Sequence, residues 1–409
     1  MSTKRSAPRM QDILYHEVFL PDEVRRIRNE VRAFAAEEIE PRAFEIAQQE
    51  ERKENFPRDV FDKMAKKNIF GIPFEREWGG RGLQYPSLAT CVALEELAYV
   101  SNSIASVVDV HCILAGHALN YGSGHTKEKY LKPLVKGEKI GCFATTEPEA
   151  SSDLSVRAIK TKAERKGDHW VVNGQKRFIT NACVADFVVV LVSAGGRLNE
   201  FVIELGSPGV RVGEPDKKMG NRGQLTSDIY FKDVVVPDEN MVGEDGKGLH
   251  VALGTLTYGR VGIAATGVGM AQAAFDECAH YMRQRSAFGK KLAQYQYWQF
   301  KMAERLTEIE NARSLYCKAA YRLDSGVEFP EPEAAMAKYY CTQLAVDIAR
   351  DAVQIFGGYG FMSILSHDNS HYKVEQIYRD SKIAEIYEGT NEIQRMIIAR
   401  QIFGKEMTG

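Results

Sequence analysis

The chain has 409 residues, enough for two or three domains, and 44% of them are hydrophobic, as in a protein with substantial cores. Its 53 Lys and Arg nearly balance its 55 Asp and Glu, leaving a formal charge of −2 and no sign of the clustered cations of a nucleic-acid surface. No apolar run approaches the ~20 residues of a membrane span, and the 7 scattered cysteines form no C-x-x-C pair, which points away from a zinc site or disulfide framework and suits a reducing compartment.

Met1 to Met10 carry Lys4, Arg5 and Arg9 without an apolar stretch, so no secretory signal is expected. A bacterial cytoplasm is the expected location, with the mitochondrial matrix as the other setting. From about Pro21 to Lys139 the pattern is helical. Asp22 and Glu23 follow Pro21 as first-turn acids, and Val24, Ile27, Val31, Phe34 and Ile39 recur at near-helical spacing. Pro57 and Asp59 open a further helix that ends near Phe70-Gly71, and Pro73 to Gly82 reads as a loop. Leu88–Val100 and Ser103–Asn120 read as buried helices, the second carrying Asp109, His111 and His117.

Near Gly141 the character changes. Trp170-Val-Val-Asn-Gly174 predicts a strand with an Asn-Gly hairpin turn. Phe187–Val192, Phe201–Leu205 and Asp228–Val236 add strands, the last stopped by Pro237. After Gly248 the helical pattern returns: Met302, Leu306, Ile309, Ala312, Tyr316, Ala320 and Leu323 make one buried stripe of a bundle helix over 298–323. Pro330 and Pro332 separate it from a helix over about Ala334–Phe356. The expected fold is a multidomain α+β chain, with an all-α domain over 1–139, a β-barrel or sandwich domain over 140–246 and a four-helix bundle over 247–409.

Several stretches carry chemistry. Ile383, Ile386 and Tyr387 are apolar positions interrupted by Glu388-Gly389, a carboxylate beside a residue that allows close backbone approach. On composition alone a solvated helix Glu is the plainer reading. However, Tyr387-Glu388-Gly389-Thr390 followed by Ile393-Gln394-Arg395 resembles the catalytic signature of the acyl-CoA dehydrogenase family, whose Glu at this place is the base. Ala144-Thr-Thr-Glu-Pro-Glu-Ala-Ser-Ser-Asp153 is similar to that family's flavin-covering loop, although Glu149 and Ser151 replace two glycines. Lys176-Arg-Phe-Ile-Thr-Asn181 resembles its flavin-contacting strand. Arg285-Ser-Ala-Phe-Gly289 resembles the turn that reaches a neighbouring subunit's FAD pyrophosphate, and Gln354-Ile-Phe-Gly-Gly358 the segment touching the adenosine half across the dimer.

The resemblance runs from about Val18 to Arg400 and implies an FAD enzyme that turns an acyl-CoA thioester into a trans-2-enoyl-CoA and passes electrons to an electron-transfer flavoprotein. It implies Glu388 as catalytic base. Phe143, Thr145, Thr146, Phe178, Thr180, Arg285, Phe288, Gln354, Gly357, Gly358, Thr390 and Glu392 are then expected at the FAD. Ser152, Asp109, Thr257, Arg260, Gly389 and Arg400 are expected at the substrate. A homo-oligomer, a tetramer by likeness, follows from motifs that serve a neighbour's flavin. Gly259 stands where some members carry the base, so Glu388 has no competitor, and Ile104 stands where glutaryl-type members carry an Arg, which argues against glutaryl-CoA.

Asp109 and His111 read either as a satisfied buried pair or as groups that recognise a polar, branched or ring-bearing acyl chain or assist a second proton transfer. The acyl group itself is left open between short or medium chains and cyclic or aryl-substituted ones. His367 and His371 have metal-like spacing within a polar stretch over 363–372, but no metal is expected. Gly267-Val-Gly269 follows no strand and is discarded as a dinucleotide fingerprint. Two other functions stand beside the dehydrogenase: an oxygen-using oxidase or monooxygenase of the same fold, and a non-catalytic DNA-associated or assembly relative. Glu388 and the absence of a basic extension weigh against the latter.

Overall fold

The computed structural model describes residues 9–14 and 19–408, so Met1–Pro8, most of the stretch read for a secretory signal, and Val18 lie outside the described residues. Helices come first: α1 (Asp22–Phe34), α2 (Glu40–Gln48), α3 (Arg58–Lys66), α4 (Pro86–Val100) and α5 (Asn102–Asn120). In α1 the apolar stripe read from the sequence is the buried one, with Val24, Ile27, Val31 and Phe34 turned inward. α4 and α5 are mainly apolar and sit inside the molecule, with Glu95 and Glu96 of α4 paired to Arg313 and Arg32. By length and composition α5 would cross a membrane, contrary to the sequence expectation of no such run, but 94% of that stretch is buried within the fold. It is a core helix, and its middle, Asp109–Gly116, widens into π-helix.

The middle of the chain forms one mixed sheet: β1 (Gly141–Ala144), β2 (Lys162–Lys166), β3 (His169–Thr180), β4 (Phe187–Ala194), β5 (Arg197–Glu204), β6 (Val210–Val212), β7 (Thr226–Pro237) and β8 (Met241–Val242). The order is β6-β7-β3-β2-β4-β5-β8, with β1 parallel to β4. Trp170 on β3 and Phe201 on β5 are three strand spacings apart, about 14 Å on a flat sheet. Their ring centroids are 5.3 Å apart, so the sheet curls around its own core of Val172, Val188, Val190, Phe231 and Val234.

The Asn-Gly signal was misleading. Asn173-Gly174 lies inside β3, at a register shift against β7, and not in a hairpin turn. Gly174 is required because a Cβ there would stand 2.5 Å from Thr161 Cα, while Asn173 Nδ2 donates to Asp233 Oδ1 at 3.1 Å. The β2–β3 turn falls instead at Gly167-Asp168. Pairing with a third strand overrode the local turn preference.

The C-terminal helices are α6 (Gly248–Gln284), α7 (Gln296–Asp324), α8 (Glu331–Phe356), α9 (Val374–Ser381) and α10 (Asn391–Phe403). A short hairpin, β9 (Ser286–Ala287) with β10 (Lys290–Lys291), follows α6. Gly267 and Gly269 serve packing: a Cβ on Gly267 would meet the α8 backbone at Cys341 O, 2.9 Å away, and one on Gly269 would strike Glu95 O of α4. α6 thus passes through the centre of the molecule with backbones pressed against it on both sides, and the site is built along it.

Candidate active site

Behind α9 a 3-10 turn, Lys382–Glu385, brings the chain to Tyr387-Glu388-Gly389. Glu388 has φ 54° and Gly389 φ 90°. Two consecutive left-handed residues make a tight bend, and at a non-glycine position such a conformation costs on the order of 1 kcal/mol, strain of the kind kept at working sites. Thr390 then caps α10, its Oγ1 accepting from Ile393 N at 3.4 Å, and Gln394 Nε2 donates to Gly389 O at 2.9 Å.

The bend turns the Glu388 carboxyl toward α6. A Cβ built on Gly259 would stand 2.0 Å from Glu388 Oε2, so only glycine leaves room for this carboxyl. The Glu388 residue keeps partial exposure, but Oε2 itself is sealed from solvent. Burial raises its pKa first of all; the neighbouring Asp109 carboxyl and the charges of Lys338 and Arg260 work the other way. Asp109, 1% exposed, is pushed far above the carboxylate range by burial and then by the Glu388 charge. Lys338 lies fully buried on α8, its Nζ 3.1 Å from Asn391 Oδ1, and burial drops its pKa to about 7. Arg260 is 5% exposed, 3.9 Å from Glu331, and its Nε and NH1 meet no acceptor among the described residues.

Asp109 and His111 are not a pair. They point to different neighbours: His111 sits between Phe61 and Phe70, with Nε2 3.0 Å from Leu134 O and Nδ1 accepting from Gly141 N at 3.3 Å. Burial lowers its pKa to about 3, so it is a neutral core group. A polar chain that the sequence reading missed locks the bend to its surroundings. Tyr387 OH lies 3.5 Å from Ser106 Oγ, Asn221 Nδ2 donates to Ser106, Asn102 Nδ2 donates to Asn221 Oδ1, and Asn221 N donates to Asp380. Asn102 and Ser106, polar residues inside a mainly apolar helix, were the available signal; their partners were not.

On the sheet side, two separate sequence motifs are fastened together. Lys176 Nζ donates to Thr145 O at 3.1 Å and to Glu147 Oε1 at 2.8 Å, and Arg177 N donates to Thr146 O. Burial brings Lys176 down to about 8, with Glu147 opposing. Phe178 follows at a register shift in β3, with φ 59° and 58% of its surface exposed. A left-handed aromatic on a bulge is a strained conformation of the kind that clusters at functional sites. Thr180 Oγ1 accepts from Gln224 Nε2 at 2.9 Å. Phe143 is buried on β1, Thr145 and Thr146 are half-buried, and Ser152 is exposed. Ser151, standing for a glycine of the family pattern, takes a left-handed φ of 51°.

Arg285 gathers elsewhere, with its guanidinium 5.5 Å over the Tyr359 ring, at a cavity of about 470 Å³ lined by Gly357, Gly358, Phe356 and Tyr281. Gln354 is exposed, and Phe288, at φ 48°, is 98% exposed on the β9–β10 hairpin. This cluster lies about 40 Å beyond Gly259 along α6 at the helical rise. Thr257, on α6, turns its Oγ1 back to Leu253 O. Glu392 is exposed in the first turn of α10 and Arg400 is in its last. His371 stacks on Phe44 at 3.6 Å, and no group of three or more metal-ligating side chains occurs among the described residues.

Family models for the N-terminal, middle and C-terminal domains of acyl-CoA dehydrogenase match residues 21–138, 142–234 and 246–403. The chain belongs to the acyl-CoA dehydrogenase family. It is 40% identical, over 92% of its length and 97% of the other's, to the short-chain specific acyl-CoA dehydrogenase of Clostridium acetobutylicum. It is 38% identical, over 95% of its length and 100% of the other's, to the CarC subunit of the caffeyl-CoA reductase–Etf complex of Acetobacterium woodii. Butyryl-CoA dehydrogenase from Megasphaera elsdenii has the same fold, with a TM-score of 0.86, 36% identity and coverage of 94% of this chain and 98% of that one. As an acyl-CoA dehydrogenase this chain is an oxidoreductase of a flavoprotein family, and the helical, sheet and bundle regions are that fold.

Proposed function

We propose that Glu388 is the base of this acyl-CoA dehydrogenase and removes the α-proton of a saturated acyl-CoA thioester, giving a trans-2-enoyl-CoA. The observation that carries this reading is the Glu388 carboxyl, sealed at Oε2 against Gly259 with its pKa raised by burial. A solvated Glu near 4.3 is too weak a base for a thioester α-carbon, and a desolvated one is stronger. The backbone N–H of Glu388 is the donor for the developing enolate oxygen. Ser152, Thr257, Arg260, Gly389 and Arg400 take the CoA thioester.

FAD fits the residues present. Phe178 offers an exposed ring at a strained bulge, beside Thr180 and the Thr145–Thr146 loop that Lys176 holds in place. Arg222 Nε is buried without an acceptor among the described residues. Bound FAD supplies the hydride acceptor that no side chain provides. Phe143, Thr390 and Glu392 complete the near contacts. The distance along α6 supports a shared site: Arg285, Phe288, Gln354, Gly357 and Gly358 lie too far from Glu388 to serve the same flavin, so they serve a neighbour's in a homotetramer. The domain limits are 1–139, 140–246 and 247–409. An electron-transfer flavoprotein takes the electrons.

Ile104 is buried and offers no countercharge to a second carboxylate, which leaves short or medium acyl chains and cyclic or aryl-substituted ones. The deciding experiment is anaerobic bleaching of the holoenzyme by a panel of acyl-CoAs. The native enzyme is reduced and reoxidises slowly in air, whereas Glu388→Gln binds the thioester but is reduced about 10²–10⁴-fold more slowly. Normal bleaching by Glu388→Gln removes the assignment, and rapid reoxidation by oxygen makes the enzyme an oxidase.

A further inference from the structure

Two glycines on one face of α6 mark an arrangement that a single base does not require. Gly259 and Gly262 are three residues apart, one above the other on the helix surface. A Cβ on Gly259 would strike Glu388 Oε2, and one on Gly262 would stand 2.4 Å from Asp109 Oδ1. The two carboxyls therefore lie side by side in a slot cut by missing side chains. No hydrogen-bond partner among the described residues reaches Asp109 Oδ1, Asp109 Oδ2 or Glu388 Oε2. Asp109 is also the residue at which α5 widens into π-helix, a distortion frequent at working sites.

We propose, resting on Glu388 as the base, that Asp109 and Glu388 form a dyad with one shared proton, in which Asp109 is a positioning residue that keeps the proton and holds Glu388 as the carboxylate.

Two adjacent carboxylates in a dry slot do not both ionise. The surrounding charges decide which one does. Around the pair stand Lys338 from α8, Arg260 from α6, Tyr387 beside Glu388, and the thiols of Cys91 on α4 and Cys112 on α5. Both cations act on Glu388, and none opposes the burial of Asp109. A buried acid with no other partner is a costly choice where an aliphatic side chain would pack, unless its proton has a use. Here the use is to present Glu388 ionised when substrate arrives, in surroundings that would otherwise protonate it.

The test uses the holoenzyme. At neutral pH, infrared difference spectra of the native protein contain a buried carboxylic-acid C=O band that Asp109→Asn removes. In Asp109→Leu, which donates nothing, the acid limb of the flavin-reduction rate moves to higher pH by about one unit or more, a rate loss of about tenfold on that limb. In Asp109→Asn, whose amide still donates, the acid limb stays near its native position. Absence of the band, or an acid limb identical in all three proteins, overturns the proposal. So does an Asp109→Asn protein that folds, holds FAD and is not reduced, because Asp109 would then itself accept a proton. If Asp109→Leu does not fold, the band and Asp109→Asn decide. A native enzyme that no acyl-CoA bleaches defeats the proposed function while leaving the band to judge the dyad.

Discussion

Replacing Gly259 by Ala tests whether Glu388, the proposed base, is held where the chemistry needs it. The added Cβ would lie 2.0 Å from Glu388 Oε2 and 2.9 Å from Leu114 Cδ2. Ordinary contact begins near 3.4 Å, so the carboxyl must retreat by about 1.4 Å. Leu114 closes the other side, which leaves rotation of the Glu388 side chain as the relief. A displacement of about 1 Å from near-attack geometry costs on the order of 10²-fold in rate. The helix itself gains from the change, because Gly in a helix interior is about 1 kcal/mol worse than Ala. Gly259→Ala is therefore expected to fold, to bind FAD and to melt within a few degrees of the native protein. Its flavin is expected to bleach about 10²-fold more slowly in anaerobic stopped flow with saturating acyl-CoA. Native bleaching rates in Gly259→Ala would refute the claim that this glycine positions Glu388.

Three further outcomes follow from the same structure. Subunits carrying Arg285→Ala, unfolded and reassembled at random with an equal amount of Glu388→Gln subunits, regain about a quarter of native active sites if Arg285 serves a neighbour's flavin; no recovery means that each chain serves its own. Lys338→Met removes a cation that lowers the Glu388 pKa, so the acid limb of flavin reduction rises in pH, most visibly below about 7, where Lys338 is charged; a rate loss uniform across pH contradicts this. His111 stays neutral in the fold down to about 3, whereas the unfolded chain takes up a proton near 6.5. Its contribution to stability is present above 6.5 and is lost as pH falls through that window. Melting temperature should thus decline less steeply between pH 7 and 5 in His111→Gln than in the native protein, and equal slopes would place acid sensitivity elsewhere.

Much of the fold was legible because its signals are local. The stripe of α1, the bundle stripe of α7 and the β-branched runs of β4 and β7 each needed only a few adjacent residues to declare a period. Where a distant strand intervened, local reading failed. Asn173-Gly174 looked like a turn and became a bulge because β7 and Thr161 claimed its backbone. Ser151 takes a left-handed φ of 51° without being glycine, a conformation its residue type does not announce.

The family was legible in the chain alone, since Glu388-Gly389, the Thr145–Thr146 loop, Phe178 and the Arg285 turn are contiguous motifs whose order can be read without coordinates. What surrounds Glu388 is set by packing alone. Asp109, Gly259, Gly262, Arg260 and Lys338 come from three different helices and meet Glu388 only after packing. A pKa depends on dry surroundings and on charges summed from every side, and neither is written in any single stretch of chain.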